Sequence, residues 1–141
     1  MKKKLFCILL ALCMSFGNAL AFDTESIWVS ADENVTRFEQ IGFMSPGLTI
    51  SSSGYATCSC TVSLNPGYNV RTTTTLYKLV NGRWDDVHSW THSGSGIVGV
   101  NVDDGWWVTS GTFMVEITAY VTDSSGHHIE TATARSRSVT H

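Results

Sequence analysis

Between Tyr55 and Leu64 hydrophobic and polar positions alternate without a break. Ala56, Cys58, Cys60, Val62 and Leu64 share one parity, and Thr57, Ser59, Thr61 and Ser63 share the other. A period of two with Ser and Thr on the polar side predicts a half-buried strand. Asn65-Pro66-Gly67 predicts a turn, and residues 71–80 a second strand, whose run Thr72 to Thr75 is suited to a pleat by its β-branching. Asn81-Gly82 is a hairpin signal, with the returning strand at 84–90. Strands at 97–102 and 112–122 follow. The second of these sets Phe113, Val115, Ile117, Ala119 and Val121 on one face, against Met114, Glu116, Thr118, Tyr120 and Thr122. Ser124-Ser125-Gly126 turns the chain into a last strand over 128–139. No segment has a convincing 3.6-residue period. Short strands at regular spacing, punctuated by Gly, Asn, Asp and Ser, predict an all-β fold, a single antiparallel sandwich of about seven strands.

The pattern at the start of the chain is different. Lys2, Lys3 and Lys4 precede an apolar run from Leu5 to Phe16, broken only by Ser15, and Ala19-Leu20-Ala21 puts small residues where a signal peptidase reads. Residues 1–21 are therefore expected to be a secretory signal peptide, removed after Ala21. The run is too short for a permanent membrane anchor. Leu12 before Cys13 and Phe6 before Cys7 do not fit a lipoprotein signal, so a secreted, extracellular protein is expected. Residues 22–46 are acidic and poorly periodic, and Ser45-Pro46-Gly47 bounds them. They are expected to form an N-terminal arm, mobile or docked on a sheet edge through Ile27 to Val29, with the sandwich domain at 47–141.

Cleavage changes the composition that matters. Removing Lys2, Lys3 and Lys4 leaves six of the nine Lys and Arg against all twelve Asp and Glu, a formal charge of −6. No basic stripe remains to neutralise phosphates, which disfavours nucleic acid and anionic lipid as partners. Cys7 and Cys13 leave with the signal, so Cys58 and Cys60 are the cysteines of the exported protein.

Gly111-Thr112-Phe113-Met114-Val115 is similar to the Gly-x-Tyr-x-Val lead-in to strand F of immunoglobulin-like and fibronectin type III-like domains. The chain also resembles a group of small exported proteins of unknown function from Gram-positive anaerobes. The resemblance rests on the stretch from Leu48 to Ala56, on Leu76-Tyr77-Lys78 followed by Asn81-Gly82-Arg83-Trp84 and Val87-His88-Ser89-Trp90, and on Ile129 to Ser136. It covers most of the exported chain and implies a fold, with no catalytic residue to carry over. The immunoglobulin disulfide joins strands B and F. Here Val115, Ile117 and Ala119 occupy the F positions, so it cannot form, and Phe113 lacks the hydroxyl of the corner tyrosine.

Cys58 and Cys60, two apart on a strand, point to one face at roughly 6.5–7 Å along it, the limit of what a disulfide spans. Their parity with Ala56, Val62 and Leu64 favours two small core residues with free, poorly reactive thiols. A strained redox bridge, metal ligation and an intermolecular disulfide are the alternatives. His88 and His92 fall on one face of a strand with Trp90, too far apart to share an ion, and with His127, His128 and His141 they read as solvated polar positions. Asp85-Asp86 and Asp103-Asp104 are neighbours that point to opposite sides of a strand, which does not suit acid–base chemistry. Neither pair has the spacing of a calcium loop, and Asp103-Asp104-Gly105 reads as a turn. No Gly-x-Ser-x-Gly or other ordered nucleophile constellation occurs. No catalytic residue, metal or cofactor is expected.

The aromatics carry the remaining signal. Trp28, Trp84, Trp90, Trp106 and Trp107 are numerous for this length, and Trp106 and Trp107 must face opposite ways on a strand. Aromatic faces beside Asp, Asn and Thr hold pyranose rings by stacking and directed hydrogen bonds. Core or edge-covering roles for Trp84, Trp90 and one of the pair are the competing account. The expected function is a non-catalytic extracellular binding module, a monomer that recognises a glycan or protein through Trp106, Trp107, Asp103 and Asp104. The alternative is a secreted bacteriocin-like effector, without membrane insertion because no basic amphipathic segment exists.

Overall fold

In the computed structural model, which describes residues 38–141, the alternation of residues 55–64 forms the middle strand of a three-stranded sheet. The strands run β1 (Ile41–Ile50), β2 (Tyr55–Leu64), β3 (Asn69–Val80), β4 (Arg83–Ser95), β5 (Val100–Trp107), β6 (Thr112–Thr122), β7 (His128–Arg135) and β8 (Val139–Thr140). Sheet A has the order β1-β2-β5, and sheet B the order β4-β3-β6-β7 with β8 also beside β6. All pairings are antiparallel. Buried side chains of both sheets share one core, Val62 and Leu64 of β2 lying with Ile117, Ala119 and Val121 of β6. The protein is all-β, and its two sheets have the arrangement of a β-sandwich. The signal peptide expected at 1–21 and residues 22–37 of the arm lie outside the described residues.

Strands β2 and β6 begin and end where their alternation does. Asn81 and Gly82 both take positive φ, 50° and 78°, as a two-residue hairpin with the right-handed twist requires. Four expectations need correction. Residues 41–46 are part of β1 rather than of an arm, because β1 is an edge strand, where Pro is tolerated, and a register shift between Ile41 and Phe43 breaks its period. Residues 97 and 98 lie in a short 3-10 turn, Gly96–Val98, set off by positive-φ Gly96 and Gly99, so β5 starts later and runs on through Trp107. Asp103-Asp104-Gly105 is therefore strand, paired with Ser59, Cys58 and Thr57, and not a turn. The last strand is also divided. At Ser136 the backbone N–H donates to the Val115 carbonyl and the side-chain hydroxyl accepts from the Val115 N–H, each at 2.8 Å, before β8 resumes pairing at Thr112 and Phe113.

The side of the sandwich where β1 meets β7 is closed by one carboxylate. Glu130 on β7 accepts the backbone N–H groups of Glu39, Gln40 and Ile41 at 2.9, 2.9 and 3.1 Å. These three donors precede or open an edge strand and have no ladder partner there, so the charge satisfies them together. In the middle of β3, Thr74 is fully buried and its Oγ1 has no hydrogen-bond partner.

Two outcomes are expected. Glu130→Ala should destabilise the protein by about 2 kcal/mol, the range of hydrogen bonds to a charged group, while Glu130→Gln loses less. Thr74→Val should raise stability by about 1 kcal/mol by removing an unsatisfied buried hydroxyl. Urea denaturation checks both, and a lower midpoint for Thr74→Val would mean that a buried water satisfies Thr74.

Candidate functional site

The pairing of β5 with β2 decides where the four expected site residues go. Cys58 and Ala56, both fully buried, lie opposite Asp104 and Trp106, whereas Ser59 and Tyr55 lie opposite Asp103 and Trp107. Asp104 and Trp106 therefore face the seam between the sheets, and Asp103 and Trp107 face outward from sheet A. The four residues do not form one site; they divide between two.

The seam lies where β4, an edge of sheet B, meets β5, an edge of sheet A. Leu76, Thr74 and Thr72 of β3 are buried, and their partners on β4 are His88, Trp90 and His92, which puts those three on the inward face. His88 stacks on Trp106 with ring centroids 3.7 Å apart and planes within 11°. Its other neighbour is Trp90, edge-on at 4.8 Å. His92 Nε2 lies 2.7 Å from Asp104 Oδ2, the carboxylate side chain retaining 15% of its exposure. Reading these histidines as solvated positions is thus corrected for two of them. A bulge at Val87 returns the strand to an inward register that simple alternation from the hairpin would not give.

The outward face of sheet A is built differently. Side chains of Thr57, Ser59, Thr61 and Ser63 alternate with the core positions of β2. Across from them stand Thr49, Gly47, Ser45 and Phe43 on β1, and Gly105, Asp103 and Asn101 on β5. Thr61 Oγ1 donates to Asn101 Oδ1 at 3.1 Å across this face. At one end Tyr55 lies over Gly105, where any Cβ would collide with its ring. Trp107 meets Tyr55 edge-on, centroids 5.0 Å apart at 68°, so the two rings form an open corner. Trp107 is 67% exposed and Tyr55 40%. Tyr55 was not anticipated as a site residue; its place beside Trp107 depends on the β2–β5 register, although the Gly two residues before Trp107 was a signal for close approach.

A scan against protein-family models finds no match to the chain, and a search of curated proteins finds no significant similarity.

The chemistry open to the two surfaces differs. Cys58 and Cys60 are free and fully buried, as the parity of β2 suggested. Burial, and then the charge of Asp104, pushes the Cys58 thiol up to about 12, so it is protonated at neutral pH, the poorly nucleophilic form. Among the described residues no three His, Cys, Asp or Glu side chains are placed to share a metal ion, and no helix is long and apolar enough to cross a membrane. Sheet B has a shallow depression of about 550 Å³ bordered by Arg71, Ser93 and Tyr120. Its cation already lies over the Tyr120 ring at 5.6 Å, and that ring stacks on His128. The outward face of sheet A offers aromatic faces beside accessible hydroxyl, amide and carboxylate groups.

Native protein should leave both thiols unalkylated by iodoacetamide at neutral pH, whereas the denatured chain should react at both. Folding holds Cys58 above its ordinary value of 9.0, so its contribution to stability is complete below that pH and is lost as pH rises toward about 12. The melting temperature should therefore decline on the alkaline side of that value. Cys58→Ala should lessen the slope without abolishing it, because Tyr77 is also raised, chiefly by burial and then by Glu116.

Proposed function

We propose that this is an exported, non-catalytic binding module of the immunoglobulin and fibronectin type III-like class, which recognises a glycan through the outward face of sheet A. The class is supported by the strand orders β1-β2-β5 and β4-β3-β6-β7, with consecutive strands exchanging sheets as in such sandwiches. Export rests on the N-terminal sequence. The observation that carries the glycan reading is the open corner of Tyr55 and Trp107 beside Asp103, Ser59 and Thr57. An apolar ring face meets the C–H face of a pyranose, while neighbouring polar groups take its hydroxyls. Trp107 remains exposed after folding, so it contributes little to the core and is free for a ligand.

The seam is assigned to stability. His92 with Asp104, and His88 with Trp106, hold two sheet edges together, and the buried thiol behind them is inert. Within the pairs expected to bind, Trp107 and Asp103 keep that role, and Trp106 and Asp104 become structural.

Retention of the purified protein on insoluble polysaccharides and peptidoglycan tests the assignment. Trp107→Ala and Tyr55→Ala should each weaken binding about tenfold, the loss of ~1.5 kcal/mol of ring contact, with little change in melting temperature. Trp106→Ala should do the reverse, costing about 1–2 kcal/mol of stability while leaving ligand affinity in place. Equal stability losses for Trp106→Ala and Trp107→Ala would place both in the packing and remove the basis for the site.

A further inference from the structure

Strands β1, β2 and β5 contain no Lys, Arg or His. The charged residues of sheet A are Asp103, facing outward, and Asp104, engaged inward by His92. These strands place no cation on the face to compensate a sulfate, phosphate or uronate, and its one outward carboxylate repels them. The ligand that fits is uncharged.

The same face has a second aromatic that the corner does not include. Phe43 on β1 stands opposite Ser63, at the other end of β2 from Tyr55, and is 55% exposed. Eight residues separate Tyr55 from Ser63, which at strand rise is about 27 Å. The positions between are all small or hydrogen-bonding. Thr57, Ser59 and Thr61 run along the middle, with Ser45, Gly47 and Thr49 on one side and Asn101 and Asp103 on the other. Gly47 keeps this floor low, since a Cβ there would press on Ser59 at 3.2 Å. Among the described residues of the three strands, no large side chain rises between the two ends to form a pocket around a single terminal sugar.

We infer that the face binds an extended, uncharged polysaccharide lying along the strands, with Tyr55 and Trp107 stacking one sugar and Phe43 a sugar several units away. This rests on the glycan reading above and specifies its ligand: a ribbon-like chain of equatorially linked pyranoses whose alternate faces are flat. The hydroxyl row contributes hydrogen bonds that any such chain can exchange along its length. Affinity therefore grows with the number of sugars until the chain reaches Phe43, then levels off.

Titration of the intact protein with cello- and chito-oligosaccharides, from disaccharide to octasaccharide, tests this, with polygalacturonate as the anionic counterpart. The expected result is affinity that climbs across at least one series and no binding of polygalacturonate. Phe43→Ala should lower affinity about tenfold for the longest chains and leave the shortest unchanged, whereas Trp107→Ala lowers it for all lengths. Affinity independent of length, or Phe43→Ala without effect on the longest chain, overturns the extended mode while the glycan reading stands. Preferential binding of polygalacturonate overturns the uncharged class. Binding of neither series, nor of polygalacturonate, overturns both readings. So does a dimer in sedimentation that Trp107→Ala dissolves, since a second copy would then cover the face.

Discussion

Everything described here depends on the two-faced character of β2. As the middle strand of sheet A it has neighbours on both sides, so its pairing leaves no freedom to shift by one residue without exchanging faces. Its inward residues, Ala56, Cys58, Cys60, Val62 and Leu64, are buried and contact both halves of the core. The first three are also small. Two thiols and an alanine in the centre of a sheet let the opposing Leu76, Phe113 and Val115 pack closely against it. The same constraint orders the outward row of hydroxyls, because each is tied in register to a core residue beside it. A slip of β2 would destroy the core and the platform together.

A sandwich of two sheets is open along both sides, and this one closes its sides by different chemistry. Where β1 meets β7, a single carboxylate collects three backbone donors that no ladder supplies. Where β4 meets β5, rings and one His–Asp hydrogen bond fill the gap: His88 between Trp90 and Trp106, and His92 on Asp104. Amphipathic side chains suit that position, since an aromatic body covers the core while its polar edge remains near water. Asp104 has a further effect there, because it disfavours ionisation of the thiol behind it. A Cys, a His and an Asp thus lie near one another in a setting where burial keeps the thiol protonated at neutral pH.

Strands with an unbroken alternation were legible from the chain alone, and β2 and β6 have the expected limits. The hairpin at Asn81-Gly82 was legible for the same reason, since few residues accept positive φ at two successive positions. The misreadings occurred where a turn-forming residue sits inside a strand. Pro46 and Gly47 in β1, and Asp103-Asp104-Gly105 in β5, are ordinary turn residues by local preference, yet both segments are edge strands that pair with β2. Tertiary pairing overrides local propensity there. Strand parity did separate Trp106 from Trp107. It could not say which faced the seam, nor that Tyr55 and Phe43 share the outward face, because such neighbours are set by register between distant segments. The seam was hidden for the same reason, with the bulge at Val87 concealing the inward turn of His88 and His92.

The absence of basic residues from sheet A is the feature that folding does not explain. Exposed edge strands are normally protected from pairing with other chains by lysines, and a soluble surface ordinarily mixes charges of both signs. Here β1 and β5 are protected by other means: Pro46 and the register shift in one, and the inward carboxylate of Asp104 in the other. Each of these devices leaves the outward face untouched. An exposed tryptophan, tyrosine and phenylalanine on that face add to the risk of self-association without adding to the core. A face kept low and aromatic, with one carboxylate and no basic side chain on its strands, is the basis of the proposed binding surface. The outward residues of sheet A are left to the proposed ligand, whereas His88, His92, Trp106 and Asp104 of the seam already contact one another.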